Sequence, residues 1–139
     1  MPIRTHRHVR QKPEAADGTR IVVMRWWPRG VSRESVDCWL RCLAPSEKLL
    51  HEYRGMETEP DLLKPMPMSP AERWEWFIER YETEMQEPEA ADAILAIRND
   101  HQMGETITLL CACHYCDQCH RSILARLVLG LEVGYHSKR

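Results

Sequence analysis

The amino-acid sequence predicts a small, single-domain α/β protein with a short, mainly parallel sheet flanked by helices. Two apolar, strand-like segments, at residues 20–27 and 106–111, are separated by segments with helical periodicity. Strands that alternate with helices are typical of parallel sheets, because the helices make the crossover connections. A chain of 139 residues suits one core, and neither half looks self-sufficient, so residues 1–139 are expected to form one domain.

The first half of the chain predicts one central strand followed by two helices. Residues 20–27 are rich in β-branched and apolar side chains and end at a Pro-Arg-Gly turn, whereas residues 3–9 form a weaker candidate strand. Ser32 is predicted to cap a helix over residues 33–43, and Ser46 a short helix that runs to about Tyr53.

The second half begins with residues 54–68, which are rich in proline and acidic side chains and are expected to form a mobile loop within the domain. The run Ser69-Pro70-Ala71-Glu72 combines an N-cap serine, a proline at the first helical position and a glutamate three residues after the cap. It predicts a clear helix start. The remaining predicted elements are helices over residues 69–86, 88–99 and 122–131 and a strand over residues 106–111.

Composition narrows the classes of function. Lys and Arg number 19 against 21 Asp and Glu, and a net charge of −2 argues against bulk attraction to nucleic acid or to an anionic membrane. The basic side chains lean toward the N-terminus, where a solvated arm is favoured over a phosphate-binding arm. No segment approaches the ~20 apolar residues of a membrane span. Six cysteines without a signal sequence predict reduced thiols, metal ligands or catalysis, and a cytoplasmic location.

The most informative segment is a cysteine-rich loop near the C-terminus. Four cysteines fall within nine residues, and a histidine and an arginine follow directly: Cys111, Cys113, Cys116, Cys119, His120 and Arg121. The loop is predicted to join the end of a buried strand to the start of a helix, where α/β proteins usually bind ligands. Because parallel strands end at one edge of a sheet, the same edge is expected to carry Arg25, Trp27 and Arg29.

Several of these segments resemble one family. Asp17-Gly18, the run Arg25-Trp-Trp-Pro-Arg-Gly30 and Leu43-Ala-Pro-Ser46 are similar to segments of an uncharacterised bacterial family, domain of unknown function 488 (DUF 488). Cys119-His120-Arg121 resembles a motif at the end of the last strand in some members. The resemblance covers most of the chain and implies a fold and a pocket rather than a reaction.

Two departures from the family pattern bear on activity. Met24 stands where the family usually has an aspartate, and Arg10-Gln11 stands where it has a Tyr-Asp pair. If those acidic side chains serve a family reaction, this chain has lost or altered it.

Two hypotheses for the loop follow from these residues. In the first, the protein is a thiol-dependent enzyme that acts on an anionic small molecule. Cys119 is the nucleophile, because a helix N-terminus lowers the pKa of a thiol, and His120 moves or orients a proton. The remaining candidates bind the anion or stack against the substrate: Arg25, Arg29, Arg121 and Trp27.

In the second hypothesis the protein binds metal, and Cys111, Cys113, Cys116 and Cys119 hold zinc or an iron–sulfur centre. A third alternative is a nucleic-acid or protein interaction module that uses the basic N-terminal arm. Against all three stands the plain alternative that these thiols are buried and inert, as free cysteines often are. The oligomeric state stays open.

Overall fold

The computed structural model describes residues 3–58, 69–113 and 119–130. Within these residues the chain forms a four-stranded sheet and four α-helices, so the predicted α/β class is confirmed. The strands are β1 (Ile3–Arg4), β2 (Thr19–Val22), β3 (Cys38–Trp39) and β4 (Ile107–Leu110). None of the described helices is both long enough and apolar enough to cross a membrane.

All strand pairs in the sheet are parallel, in the order β1-β4-β2-β3. Ile107 of β4 pairs with Ile3 on one side and with Thr19 on the other, which fixes the register. A single parallel bridge between His8 and Cys111 extends the β1–β4 pairing past the end of β4. The carboxyl ends of the strands therefore meet at one edge, and the cysteine-rich segment begins there.

The helices are α1 (Glu47–Thr58), α2 (Pro70–Glu84), α3 (Pro88–Gln102) and α4 (His120–Leu129). The capping box predicted at Ser69 and Glu72 is present, with proline at the first position of α2. Ser46 Oγ accepts a hydrogen bond from the Leu49 N–H at 3.1 Å, as expected of the serine that begins α1. Local side-chain signals therefore located both helix starts.

The helix predicted over residues 33–43 is wrong. Two single turns of 3-10 helix, Arg33–Ser35 and Arg41–Leu43, flank the short strand β3 instead. The Asp37 N–H donates to the Arg20 carbonyl at 2.9 Å, and Asp37 Oδ2 accepts from the Arg20 N–H at 2.8 Å. Pairing with β2 thus satisfies the backbone in an extended conformation.

Other boundaries also differ from prediction. The central strand ends at Val22 rather than Trp27, and residues 54–58 continue α1 rather than begin a loop. The remainder of the predicted mobile loop, residues 59–68, lies outside the described residues. The sheet face that carries Ile21 and Leu109 packs against the helices, and the core there includes Phe77 and Tyr81 of α2 and Ile123 of α4.

Candidate metal and thiolate site

A cluster of sulfur and nitrogen donors occupies the carboxyl edge of the sheet. Cys111 directly follows β4, Cys119 is the N-cap residue of α4, and His120 is the first residue of that helix. All three side chains are buried, and one donor atom from each lies within 4.8 Å of the others. The junction between strand and helix thus gathers three residues that the sequence analysis had singled out.

The His120 ring is held in one orientation by the neighbouring strand. Its Nε2 lies 2.6 Å from the carbonyl oxygen of Val23, and because a carbonyl can only accept, Nε2 carries the hydrogen and donates it. Nδ1 then faces Cys119 Sγ at 3.5 Å. The Tyr81 ring meets the imidazole edge-on, with 5.7 Å between centroids. His120 therefore presents Nδ1 to the Cys119 sulfur: as a lone pair when the imidazole is neutral, and as a second N–H donor when it is protonated.

Tyr81 is itself fixed in the core. Its hydroxyl donates to the Leu43 carbonyl at 2.7 Å, and its side chain is fully buried. Burial raises the pKa of Tyr81 well above its ordinary value, and the nearby Cys119 sulfur adds to the shift. Tyr81 consequently stays a neutral hydrogen-bond donor, and its ring is held in a fixed position beside His120.

A third sulfur lies beside the buried cluster. Cys113 is exposed, and its Sγ is 3.8 Å from Cys111 Sγ. Its carbonyl accepts a hydrogen bond from Arg121 at 3.0 Å, and Arg121 also donates to the Arg7 carbonyl at 2.6 Å. These bonds tie the turn after β4 to the start of α4. Cys116, the fourth predicted ligand, lies outside the described residues.

The three sulfur atoms share negative charge unequally. Hydrogen bonds from the thiols of Cys111 and Cys113 lower the pKa of Cys119; they outweigh the opposing effect of burial, and His120 lowers it further. The pKa of Cys111 is raised because its hydrogen bonds to Cys113 and Cys119, together with burial, favour the protonated thiol. The arrangement thus favours a single thiolate on Cys119, supported by two thiols and an imidazole.

Three arginines were predicted to bind an anion. Two of them, Arg25 and Arg121, already donate hydrogen bonds to backbone carbonyls. Arg121 is 1% exposed and donates to the backbone carbonyls described above. Arg25 is half-buried and donates to the carbonyls of Ala44 at 3.2 Å and Pro45 at 3.1 Å. Arg29, by contrast, is exposed. Both Arg25 and Arg121 therefore stabilise loops at this edge.

Trp27 lies on the other face of the sheet from the main helical core, in a small apolar cluster with Val22 and Leu110. Its Nε1–H donates to the Val31 carbonyl at 2.9 Å, and its ring meets Trp39 edge-on with 5.3 Å between centroids. Met24, the residue that departs from the family pattern, packs at the border of the same cluster. Trp27 is thus half-buried and anchored at its polar end.

Two elements of the site were missed by the sequence analysis. Tyr81 falls within the predicted helix over residues 69–86 and has no further signal in the sequence, although a buried tyrosine usually needs a partner for its hydroxyl. The Val23 carbonyl, which orients His120, leaves no signal in the sequence because every residue carries a carbonyl group. Only the parallel alignment of β2 and β4 brings that carbonyl to the histidine.

The fold and the site define an α/β protein with a buried cysteine–histidine cluster at the carboxyl edge of a parallel sheet. Comparison with known families gives the particular family: a model described as "Active DUF488-N3 subclade" matches residues 3–130. The chain therefore belongs to the DUF488 family, as the sequence resemblance indicated.

Similar curated proteins are themselves uncharacterised. They include Mb3100c of Mycobacterium bovis and Rv3073c of Mycobacterium tuberculosis. Each is 27% identical to this chain over 116 residues, which cover 82% of this chain and 83% of the relative. No solved structure was found to match the chain.

Proposed function

We propose that this protein binds one zinc-class metal ion through Cys111, Cys119 and His120, with Cys113 as the fourth ligand. The observation that carries the proposal is the burial of three soft donors whose ligand atoms lie within 4.8 Å of one another. Thiolate and imidazole groups favour zinc and similar transition metals over magnesium or calcium, which prefer oxygen.

The donor spacing supports tetrahedral coordination. With metal–sulfur bonds of about 2.3 Å and metal–nitrogen bonds of about 2.0–2.1 Å, two sulfur ligands lie about 3.8 Å apart, and a sulfur and a nitrogen about 3.5 Å apart. The Cys111–Cys113 sulfur distance is 3.8 Å, and Cys119 Sγ lies 3.5 Å from His120 Nδ1. A small adjustment of these side chains is sufficient to complete the coordination shell.

The surroundings of His120 support the same proposal. A histidine that binds metal through one ring nitrogen usually donates its other N–H to a carbonyl or carboxylate, as Nε2 does here to Val23. A buried thiolate is costly unless it is paired with positive charge, and Cys119 is only 2% exposed. A bound cation would supply that charge.

Elemental analysis tests the proposal on protein purified without chelator or affinity metal. We expect about one zinc per chain in the wild type and loss of that zinc in Cys119→Ser and His120→Gln, since each removes a ligand. Cys38→Ser is the matched control, because Cys38 is a half-buried cysteine in β3 outside the cluster. Folded wild-type protein without metal, or equal loss in Cys38→Ser, would contradict the proposal.

A second candidate function is a thiol-dependent enzyme that acts on an anionic small molecule. The lowered pKa of Cys119 and its contact with His120 favour it, because this pair is typical of an activated nucleophile. The description of the subclade as active agrees with it. Exposed Arg29 and the ring of Trp27 would contact the substrate, and the buried Cys119 requires the site to open.

Mapping of alkylation by mass spectrometry separates this candidate from the first. On metal-free protein near pH 7, a nucleophilic Cys119 should react with iodoacetamide at least about tenfold faster than Cys38 or Cys42, whose pKa values are raised by burial. His120→Gln should slow that reaction. Uniform reactivity of the thiols would exclude the enzyme and leave the metal proposal intact.

A cytoplasmic location is part of both proposals. The described cysteines are all free thiols, and free thiols persist in reducing compartments.

A further inference from the structure

The charge of the chain is divided unequally along its length. Residues 1–41 contain nine Lys or Arg against four Asp or Glu, whereas residues 42–139 contain ten against seventeen. The overall charge of −2 therefore conceals a basic segment of +5 and an acidic remainder of −7. Local charge, rather than the total, decides whether a surface attracts an anion at short range.

Two of the acidic side chains in the basic segment are already used internally. Asp17 and Glu14 form ion pairs with Arg4 and Arg7, and Asp17 also pairs with Arg20. Within residues 3–58, 69–113 and 119–130, no ion pair within 4.0 Å joins a carboxylate to four exposed arginines of this segment: Arg10, Arg29, Arg33 and Arg41. Their charge is therefore available to a ligand.

Two of these guanidinium groups lie over tryptophan rings. Arg33 Cζ lies 4.5 Å from the centroid of Trp27 and 5.4 Å from that of Trp39, and Arg41 Cζ lies 5.3 Å from the Trp39 centroid. The Trp39 ring is fixed because its Nε1–H donates to the Met24 carbonyl at 2.8 Å. Stacking restricts the motion of the guanidinium groups, so less entropy is lost when they bind phosphate.

An exposed aromatic side chain and a second pair of arginines lie in the same segment of the chain. Trp26 is 51% exposed, directly beside Trp27 in the chain. Arg10 donates to the Arg29 carbonyl at 3.3 Å, which holds the two arginine-bearing segments together. We call the exposed side chains of this region the arginine–tryptophan face, which comprises Arg10, Trp26, Arg29, Arg33 and Arg41.

We propose that the arginine–tryptophan face binds single-stranded nucleic acid. Exposed guanidinium groups contact successive phosphates, and a base stacks on Trp26, which is the combination that sequence-tolerant single-strand binding requires. A duplex hides the faces of its bases and would use only the phosphate contacts. The inference goes beyond the metal or thiol chemistry of the cysteine cluster and does not depend on it.

Fluorescence anisotropy with a labelled fifteen-nucleotide thymidine strand tests the proposal. We expect the strand to bind at low salt. The logarithm of the association constant should fall linearly with the logarithm of the salt concentration, with a slope of about −0.7 for each phosphate contacted. Trp26→Ala should weaken binding about tenfold and leave the salt slope unchanged, because it removes stacking but no charge. Since Trp26 is half exposed, this variant should fold normally.

The matched charge variants are Arg33→Gln and Arg80→Gln. Arg80 also lies over a tryptophan, with Cζ 4.3 Å from the Trp76 centroid, but on α2 in the acidic part of the chain. Arg33→Gln should weaken binding several-fold and reduce the slope by about 0.7, whereas Arg80→Gln should change neither. A thermal melt of each variant confirms that it is folded.

The absence of binding at about 50 mM salt would overturn the proposal. Equal effects of Arg33→Gln and Arg80→Gln, or no effect of Trp26→Ala, would also overturn it. Equal affinity for duplex and single strand would do the same. Equal affinity for a free thymidine nucleotide would assign the face to a small ligand instead of a polymer.

Discussion

Two buried polar clusters lie at opposite edges of the same sheet, and they differ in whether the chain supplies an opposite charge. At the amino edge, just before β2, Asp17 is fully buried. One carboxylate oxygen accepts from Arg20 at 2.5 Å and from the Glu14 N–H at 3.1 Å, and the other lies 3.2 Å from Arg7 Nε. Positive charge and hydrogen bonds from the chain itself stabilise this carboxylate.

At the carboxyl edge, Cys119 is equally buried, but its sulfur contacts two other thiols and the His120 ring. These groups lower the pKa of the thiol but bring no permanent positive charge. The comparison indicates that the amino-edge cluster is a structural device, whereas the carboxyl-edge cluster is suited to an additional cation or substrate.

The largest expected effect concerns the amino-edge cluster. Asp17→Ala should lower the free energy of unfolding by about 3–5 kcal/mol, because it leaves Arg20 buried without its carboxylate partner and leaves Arg7 paired only with the exposed Glu14. Urea denaturation followed by circular dichroism measures the change. Asp92→Ala, at an exposed position of α3, is the control and should stay within about 0.5 kcal/mol of the wild type. Equal losses in both variants would mean that Asp17 is not a structural centre.

The next largest effect on stability should come from metal binding to the cysteine–histidine cluster at the carboxyl edge of the sheet. With free zinc at about 100 times its dissociation constant, we expect the free energy of unfolding to rise by about 2.7 kcal/mol over that of chelated protein. Cys119→Ser should lose this increment, and Cys38→Ser should keep it. An increment that survives in Cys119→Ser would place the metal elsewhere.

The sequence predicted those features of the fold that depend on local chemistry. The start of α2 follows from the Ser69 and Glu72 side chains, which bond to backbone groups only three residues away. The helix predicted over 33–43 failed because its competitor was not local. Asp37 bonds to the backbone of Arg20, seventeen residues earlier, and that pairing leaves no trace in helical periodicity.

The candidate site was predictable to the same extent. The sequence located the end of β4 and the start of α4 to within about two residues, so Cys111, Cys119 and His120 could be expected to lie together, although the last helix was predicted to begin at Ser122 rather than His120. The burial of Arg121 could not, because its partner is the Arg7 carbonyl, 114 residues earlier. An arginine that binds backbone carbonyls and one that awaits an anion look the same in a sequence.

A smaller effect on stability should appear in acid. Burial alone would raise the pKa of Asp17, but the Glu14 N–H, Arg20 and Arg7 together lower it. Below about pH 4 the unfolded chain therefore takes up a proton at Asp17 before the folded protein does, so the contribution of Asp17 to stability is lost as pH falls through its lowered pKa.

Urea denaturation of chelated protein at several pH values between 2.5 and 6 (roughly the range in which carboxyl groups titrate) tests this expectation. Asp17→Asn should be less stable at neutral pH and should lose less stability on acidification than the wild type. Parallel pH profiles for the two proteins would show that Asp17 titrates alike in the folded and unfolded chains. Chelation keeps proton uptake by metal ligands out of the comparison.

The smallest expected effect separates the members of the amino-edge cluster. Glu14 lies 3.4 Å from Arg7 and 3.7 Å from Arg4, distances similar to those of Asp17, but its side chain is 54% exposed. Water already solvates that carboxylate, so Glu14→Gln should cost less than about 1 kcal/mol by urea denaturation. If Glu14→Gln were as costly as Asp17→Ala, total charge rather than the burial of one carboxylate would hold the cluster together, and the contrast with the cysteine edge would weaken.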